Sequence, residues 1–267
     1  MLRDITLGQY FPGDTVVHRL DPRTKLVLVV VYIVTLFCAK HMVTYAITLG
    51  ALMGVIIASK ISIKVILGSM KPLLFIIILT GILNLFYSQG EPIISFWIFT
   101  ITEEGVWNAV FMVLRISMLI CGTFMLTYTT SPIALTDGIE QLLQPLKKIK
   151  VPVHELAMMM CIALRFIPTL IEETDKIMSA QKARGADFET GSLLSRAKAL
   201  IPILVPLFIS AFRRADELAV AMECRCYHGG EGRTRMKQLK FAARDHVALI
   251  GGFLLMALVI VLGRAGL

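Results

Sequence analysis

Long apolar runs separated by short polar breaks set the pattern of this chain. From Leu26 to Ser59 it is apolar except at Lys40-His41. One helix over that stretch would far outrun a bilayer, which about 20 apolar residues suffice to cross. The pattern predicts two short, tilted spans that turn near Lys40-His41. Asp21-Pro22 marks the first start, with a capping side chain and then proline in the first turn. Arg23 and Lys25 are placed to snorkel toward headgroups. A third span is expected from roughly Ile66 to Phe86, interrupted by Lys71-Pro72. A fourth should run from about Val106 to Thr127 and carries Arg115. A last should run from about Val247 to Leu262.

Between the fourth and last spans the pattern changes. Ser131-Pro132 opens a helix that should reach about Lys147, and a basic turn, Lys147 to Pro152, follows. Two long segments come next, Val153 to Arg184 and about Leu193 to Arg225, separated by a polar break at Asp187, Glu189 and Gly191. Each begins apolar, at Ala157 to Leu164 and at Leu200 to Phe212. Each has proline in its middle, Pro168 in one and Pro202 with Pro206 in the other, so kinks are expected. Each then turns amphipathic with a helical period. Leu170, Ile171, Ile177 and Met178 share one face. So do Leu207, Phe208, Ala211, Phe212, Ala215, Leu218, Ala219 and Met222, with Arg213, Arg214, Asp216, Glu217 and Glu223 expected opposite. One reading makes these segments two more membrane spans with charged ends. Glu155 and Arg165 inside the first apolar stretch are costly in lipid, which favours helices at the membrane–cytoplasm interface.

Composition supports a membrane protein. Of the 267 residues 56% are hydrophobic and only 17% charged, where soluble domains run to about 45–50% and 25%. The net charge of +8 fits cytoplasmic loops. No basic stretch is interleaved with aromatics, so nucleic acid is not an expected partner. Of 27 Lys and Arg, 17 fall between Tyr128 and Asp245. The loop from Tyr87 to Gly105 has none and holds Glu91, Glu103 and Glu104. The N-terminus and the long basic stretch are therefore expected on the cytoplasmic side, and the Glu-bearing loop outside. Cys38, Cys121, Cys161, Cys224 and Cys226 form no disulfide framework. A secretory signal is not expected, because no apolar core precedes Leu26.

The candidate chemistry is sparse. The two long segments end on arginine between small residues, Ala183-Arg184-Gly185 and Cys224-Arg225-Cys226. A guanidinium keeps its charge and grips carboxylates through two parallel bonds. Small neighbours let a helix tip enter a narrow groove. Each arginine alone also fits ordinary capping of a helix C-terminus; their duplication points to docking. His228-Gly229-Gly230-Glu231-Gly232-Arg233-Thr234 lacks the phosphate-loop spacing and reads as a flexible connection. Cys224, Cys226 and His228 lack a fourth metal ligand. Arg115 inside a span is either functional or structural. Met158-Met159-Met160, with Met178 and Met222, suits either a repacking surface or core filling. No nucleophile–base set, metal-hydrolase motif or acid pair is present, so no catalytic, cofactor-binding or metal site is expected.

With these residues in view, the chain resembles the transmembrane T component (EcfT family) of energy-coupling factor transporters, a branch of the ABC systems. The resemblance rests on Gly8-Gln9-Tyr10, Pro12-Gly13, His18 to Leu26, Thr130-Ser131-Pro132, Leu164 to Pro168, and Ala221-Met222-Glu223 leading into the second triplet. The two triplets are its most specific part, although the second carries cysteine where Ala-Arg-Gly is commoner. The resemblance implies an all-α integral membrane protein of about five transmembrane helices, with long Pro-kinked cytoplasmic-side coupling helices in an L-shaped arrangement. The expected regions are 1–129 with four spans, 130–245 with the coupling helices, and 246–267 with the last span. It further implies a bacterial cytoplasmic-membrane scaffold without catalysis of its own, partnered by two ATPase subunits that bind ATP and Mg. An interchangeable S component would bind vitamins or other micronutrients. Ala183, Arg184, Gly185, Cys224, Arg225 and Cys226 would be the ATPase-coupling residues. A conventional permease or a stand-alone secondary transporter is the alternative; the latter would need its own midplane site.

Overall fold

The computed structural model describes residues 10–87, 92–96, 99–186, 188, 192, 194, 198–229 and 239–265. Asp21 starts helix α1 (Pro22–Cys38) as its pattern predicts: the carboxylate accepts from the Arg23 amide, and Pro22 fills the first turn. The chain turns at Lys40-His41 into α2 (Met42–Ser59). There the Thr44 hydroxyl accepts from the His41 amide at 3.1 Å and donates to its carbonyl at 2.6 Å. Helices α3 (Ile63–Met70) and α4 (Leu74–Tyr87) form one apolar stretch, broken only by a 3-10 turn at Lys71–Leu73. Pro72 has no amide to donate at that point.

A short antiparallel hairpin follows, β1 (Pro92–Phe96) with β2 (Phe99–Thr102), pairing Ser95 with Thr100 and Phe96 with Phe99. The sequence reading has only a loop here. The Thr102 hydroxyl then caps α5 (Glu103–Thr129) at the Gly105 amide, 3.0 Å away. Glu103 and Glu104 sit in its first turn, where the helix dipole favours acids. Helix α6 (Pro132–Leu143) stops short of Lys147 because a 3-10 segment with Pro145 takes over at Gln144–Ile149. The remaining helices are α7 (Val153–Ala183), α8 (Ile201–Cys224) and α9 (Ala243–Ala265).

Among the described residues five helical stretches are long and apolar enough to cross a membrane: Met42–Ser59, Ile63–Phe86, Glu103–Thr129, Val153–Ala183 and Ala243–Ala265. Four coincide with expected spans. The fifth is α7, which the sequence reading puts at the interface; its apolar first half meets the length and composition of a span despite Glu155 and Arg165. Expected span α1 has 17 residues and falls just below that length, because Asp21 and the Lys40-His41 turn cut it at both ends. A second correction concerns Pro202. It lies in the first turn of α8, where its missing amide costs nothing, and only Pro206 is interior. Pro168 is interior to α7 as expected.

The chain divides into two compact units, Gly8–Gly138 with Leu239–Leu267, and Ile139–Gln238. In the first, α1 packs along both α5 and α9, and α4 packs along α5. Its core includes Leu36, Tyr45, Leu52, Met118, Tyr128 and Val259. Small residues permit close helix contacts, as in membrane bundles generally. A Cβ on Gly122 would lie 2.4 Å from the Tyr32 ring, and one on Gly252 2.5 Å from Leu28. In the second unit α7 packs against α8. The polar break at Asp187, Glu189 and Gly191, the start near Leu193, the residues Gly230 to Thr234 and the motif residues Gly8-Gln9 lie outside the described residues.

Candidate functional site

The two arginine triplets end their helices in the same way. In α7 the amide of Gly185 donates to Lys182 at 3.0 Å, and that of Ala186 reaches back to Gln181 at 3.0 Å. In α8 the amide of Cys226 donates to Glu223 at 2.8 Å, and that of Tyr227 to Met222 at 3.0 Å. This paired pattern is the Schellman motif, and it requires a left-handed residue just after the cap. Gly185 takes that place with φ +87°, Cys226 with φ +56°. Glycine is at ease there, whereas a Cβ is disfavoured. Cysteine thus fills a glycine position without changing the helix end.

Backbone amides do the capping at both ends, so neither guanidinium is needed for it. Arg184 and Arg225 are exposed, as are Ala183, Cys224 and Cys226. Among the described residues neither arginine has an ion pair. Each is a fixed-charge fork held on a rigid helix end and presented to solvent.

The helices that carry these ends are joined at their middles. The Ser210 hydroxyl on α8 donates to Glu173 Oε1 on α7, and Arg214 Nη2 binds Glu173 Oε2 at 3.1 Å. Arg214 also lies 5.7 Å from the centre of the Phe166 ring. Further along, Gln181 Nε2 reaches the Pro202 carbonyl at 3.4 Å. Phe166 meets Arg214 and Gln181 meets Pro202, so the contact is antiparallel. At ~1.5 Å per residue, Arg184 lies roughly 16 Å beyond Glu173, and Arg225 roughly 22 Å beyond Ser210 in the opposite direction.

This contact corrects the helical-face reading of α8. Arg214 faces α7, with Ile203 and Leu207 on the same side, because a partly buried carboxylate at Glu173 is there to pair with it. The apolar residues Phe208 and Phe212 are 61% and 67% exposed instead. Met159, Met160 and Leu156 of α7 are exposed as well. An apolar surface of this kind needs lipid or another protein.

Arg115 has a structural explanation. Its Nε donates to Tyr45 Oη at 2.8 Å and its Nη2 to the Ala39 carbonyl at 3.3 Å. The guanidinium thus closes the C-terminal end of α1, where a cation is favoured. Cys224, Cys226 and His228 do not gather as ligands. Among the described residues no three His, Cys, Asp or Glu side chains cluster as a metal site would.

Lys25 and Arg23 do not snorkel toward headgroups as expected; they turn inward, because buried carbonyls and the Asp21 carboxylate take their donors. The segment His18 to Lys25 forms a buried polar knot with the ends of α5 and α9. Lys25 Nζ donates to the carbonyls of Thr129 at 2.8 Å and His18 at 3.2 Å, and to Thr130 Oγ1 at 3.2 Å. Arg23 clasps Asp21 through two bonds of 3.0 and 2.8 Å and stacks 3.9 Å over Phe241. Asp245 accepts from the amides of Asp21 and Ala242, each at 2.8 Å. His18 Nε2 donates to the Phe11 carbonyl at 3.1 Å and its Nδ1 accepts from Thr15. Burial pushes the His18 ring below its ordinary pKa, only partly offset by that carbonyl. Burial raises the Asp21 carboxyl, but the Arg23 hydrogen bonds outweigh it and hold the group below the usual range. The acidic Asp245 just before a long apolar run was the available signal.

The family model described as "cobalt transport protein" (CbiQ) matches residues 13–236. The "energy-coupling factor transporter transmembrane protein EcfT" of Thermosediminibacter oceani is 57% identical over 254 residues, 95% of this chain and 96% of that protein. The proteins of the same description from Bacillus subtilis and Lactococcus lactis are 47% and 45% identical. They cover 97% and 98% of this chain, and 98% of their own lengths.

Proposed function

The chain belongs to the CbiQ/EcfT family as a transmembrane component of an energy-coupling factor transporter, and from that premise we propose that Arg184 and Arg225 couple it to two ATPase subunits. The observation that carries this reading is the matched pair of Schellman-capped helix ends, each presenting an exposed arginine. Each fork would bind acidic groups in a groove of one ATPase. ATP and Mg would bind those partners, and this chain would have no catalysis of its own. Closure and reopening of the ATPase pair would move Arg184 and Arg225 and be carried into α7 and α8. The exposed apolar residues of these helices, including Phe208, Phe212 and Met159, would meet the S component at the edge of the bilayer. Tilting of that component would deliver its vitamin or other micronutrient. The N-terminus, and with it both helix ends, would lie on the cytoplasmic side of the bacterial membrane.

The test is co-purification of tagged wild type and Arg184→Ala/Arg225→Ala with the ATPase subunits and one S component, alongside ATP-driven uptake. The double variant should insert normally and lose ATPase association or uptake. A double variant that associates and transports like wild type overturns the proposal.

A further inference from the structure

We propose that the first unit holds one acyl chain of a lipid inside its helix bundle. A cavity of about 420 Å³ lies between α1, α2, α5 and α9. Its walls are apolar, with Leu28, Leu52, Val55, Met125 and Leu255 among them. Four polar side chains reach the lining, and each is already satisfied. Tyr32 Oη donates to the Met118 carbonyl, Thr35 to Val31, and Thr129 to Met125. Lys25 has its three bonds in the polar knot. A bound water needs two to four polar partners, and here only hydroxyl lone pairs remain, with no free donor. Water is therefore poorly held, while a hydrocarbon chain meets apolar walls.

The dimensions and the setting favour a chain over a compact ligand. The lining on α1 runs from Lys25 to Thr35, roughly 15 Å along the helix. Apart from Val17 and Leu20, which precede α1, the lining lies on helices of an apolar bundle, so the surrounding solvent is lipid tail. On the α9 wall Gly251 is exposed and has nothing within 4 Å of where a Cβ would stand. The bare backbone of α9 at this point offers a chain a sideways entry from the bilayer. Leu52 and Met125, by contrast, are only 6% and 4% exposed, and lipid outside the bundle does not touch them.

That contrast provides the test. The full chain is reconstituted in bilayers containing a phosphatidylglycerol with a diazirine in mid-chain, or a diazirine fatty acid in a second arm. After photolysis the adducts are mapped by peptide mass spectrometry. Labelling of Leu52 and Met125, beside the exposed lipid-facing Leu254 and Val261, is the expected result. Gly251→Leu, which adds bulk to the exposed α9 part of the lining, should lose the adducts at Leu52 and Met125 and keep those at Leu254 and Val261. Ala248→Leu, from the same wall, serves as the second variant if the first does not fold. Labelling by the phospholipid identifies a bilayer lipid as the source; labelling by the fatty acid alone identifies a free acyl chain. Adducts confined to Leu254 and Val261 in wild type, or cavity adducts that survive both variants, overturn the proposal.

Discussion

Replacing Gly185 with alanine separates backbone geometry from side-chain contact at a helix tip. A Cβ at this position would touch nothing within 4 Å, so sterics with the rest of the protein contribute nothing. What remains is the left-handed backbone, φ +87°, which costs an L-residue about 1–2 kcal/mol. Alanine also narrows the unfolded ensemble, an offset of about 0.4–1 kcal/mol. The net expectation is a helix end destabilised by about 1 kcal/mol, which corresponds to roughly fivefold faster local opening. Cys226→Gly is the mirror experiment and should slow opening of the other end by a similar factor. The assay is hydrogen exchange in bilayer discs, read at the Ala186 and Tyr227 amides that close the two motifs. If Gly185→Ala leaves exchange unchanged, or both variants shift exchange in the same direction, left-handed capping is not what shapes these tips.

Other parts of the structure make equally concrete expectations. Lys25→Met strips three donors from buried acceptors and should cost about 1–3 kcal/mol per acceptor left unpaired, seen as a large drop in thermal midpoint in detergent. Gly122→Ala forces a methyl against the Tyr32 ring and should destabilise by about 1–3 kcal/mol; an unchanged midpoint would show that the α1–α5 contact relaxes freely. Asp21 has a lowered pKa when folded, so its contribution is fully present above the ordinary carboxylate range and is lost as pH falls through the folded value. Asp21→Asn keeps a capping oxygen, and should flatten the acid side of a midpoint-versus-pH curve. Arg115→Leu abandons Tyr45 and the Ala39 carbonyl, so uptake should fall only in proportion to folded protein; lost uptake at normal folded yield would argue against a structural role.

Much of this fold could be read from local chemistry. Asp21-Pro22 and Lys40-His41 bound α1 because capping and helix breaking depend on neighbours in sequence. Apolar runs of span length likewise mark α2, α4, α5 and α9. The strands Pro92–Phe96 and Phe99–Thr102 are rich in Ile, Phe and Thr, but runs of five and four residues are too short for alternation to distinguish them from a loop. The orientation of α8 is not legible in its own sequence, for a different reason. Phe208 and Phe212 look like core residues by period, yet the contact with α7 is made by Ser210 and Arg214 around a single carboxylate. No pattern within α8 contains Glu173. The exposed arginines stand out as duplicated triplets, whereas the left-handed geometry of Cys226 depends on amide bonds that cysteine gives no reason to expect.

The bond between the Asp21 amide and Asp245 joins residues 224 positions apart. It ties the first helix to the last, and this has a consequence for biogenesis. Ribosomes extend a chain at about 5–20 residues per second, so α1 waits on the order of 10–45 s for that partner. During this interval the start of α1 has Pro22 and its own carboxylate but lacks Asp245, and the groove that will receive α9 stands open to lipid. The bundle becomes complete only once α9 has been made. A truncated chain would therefore expose the same unsatisfied helix start, a feature by which membrane proteases could tell unfinished copies from finished ones.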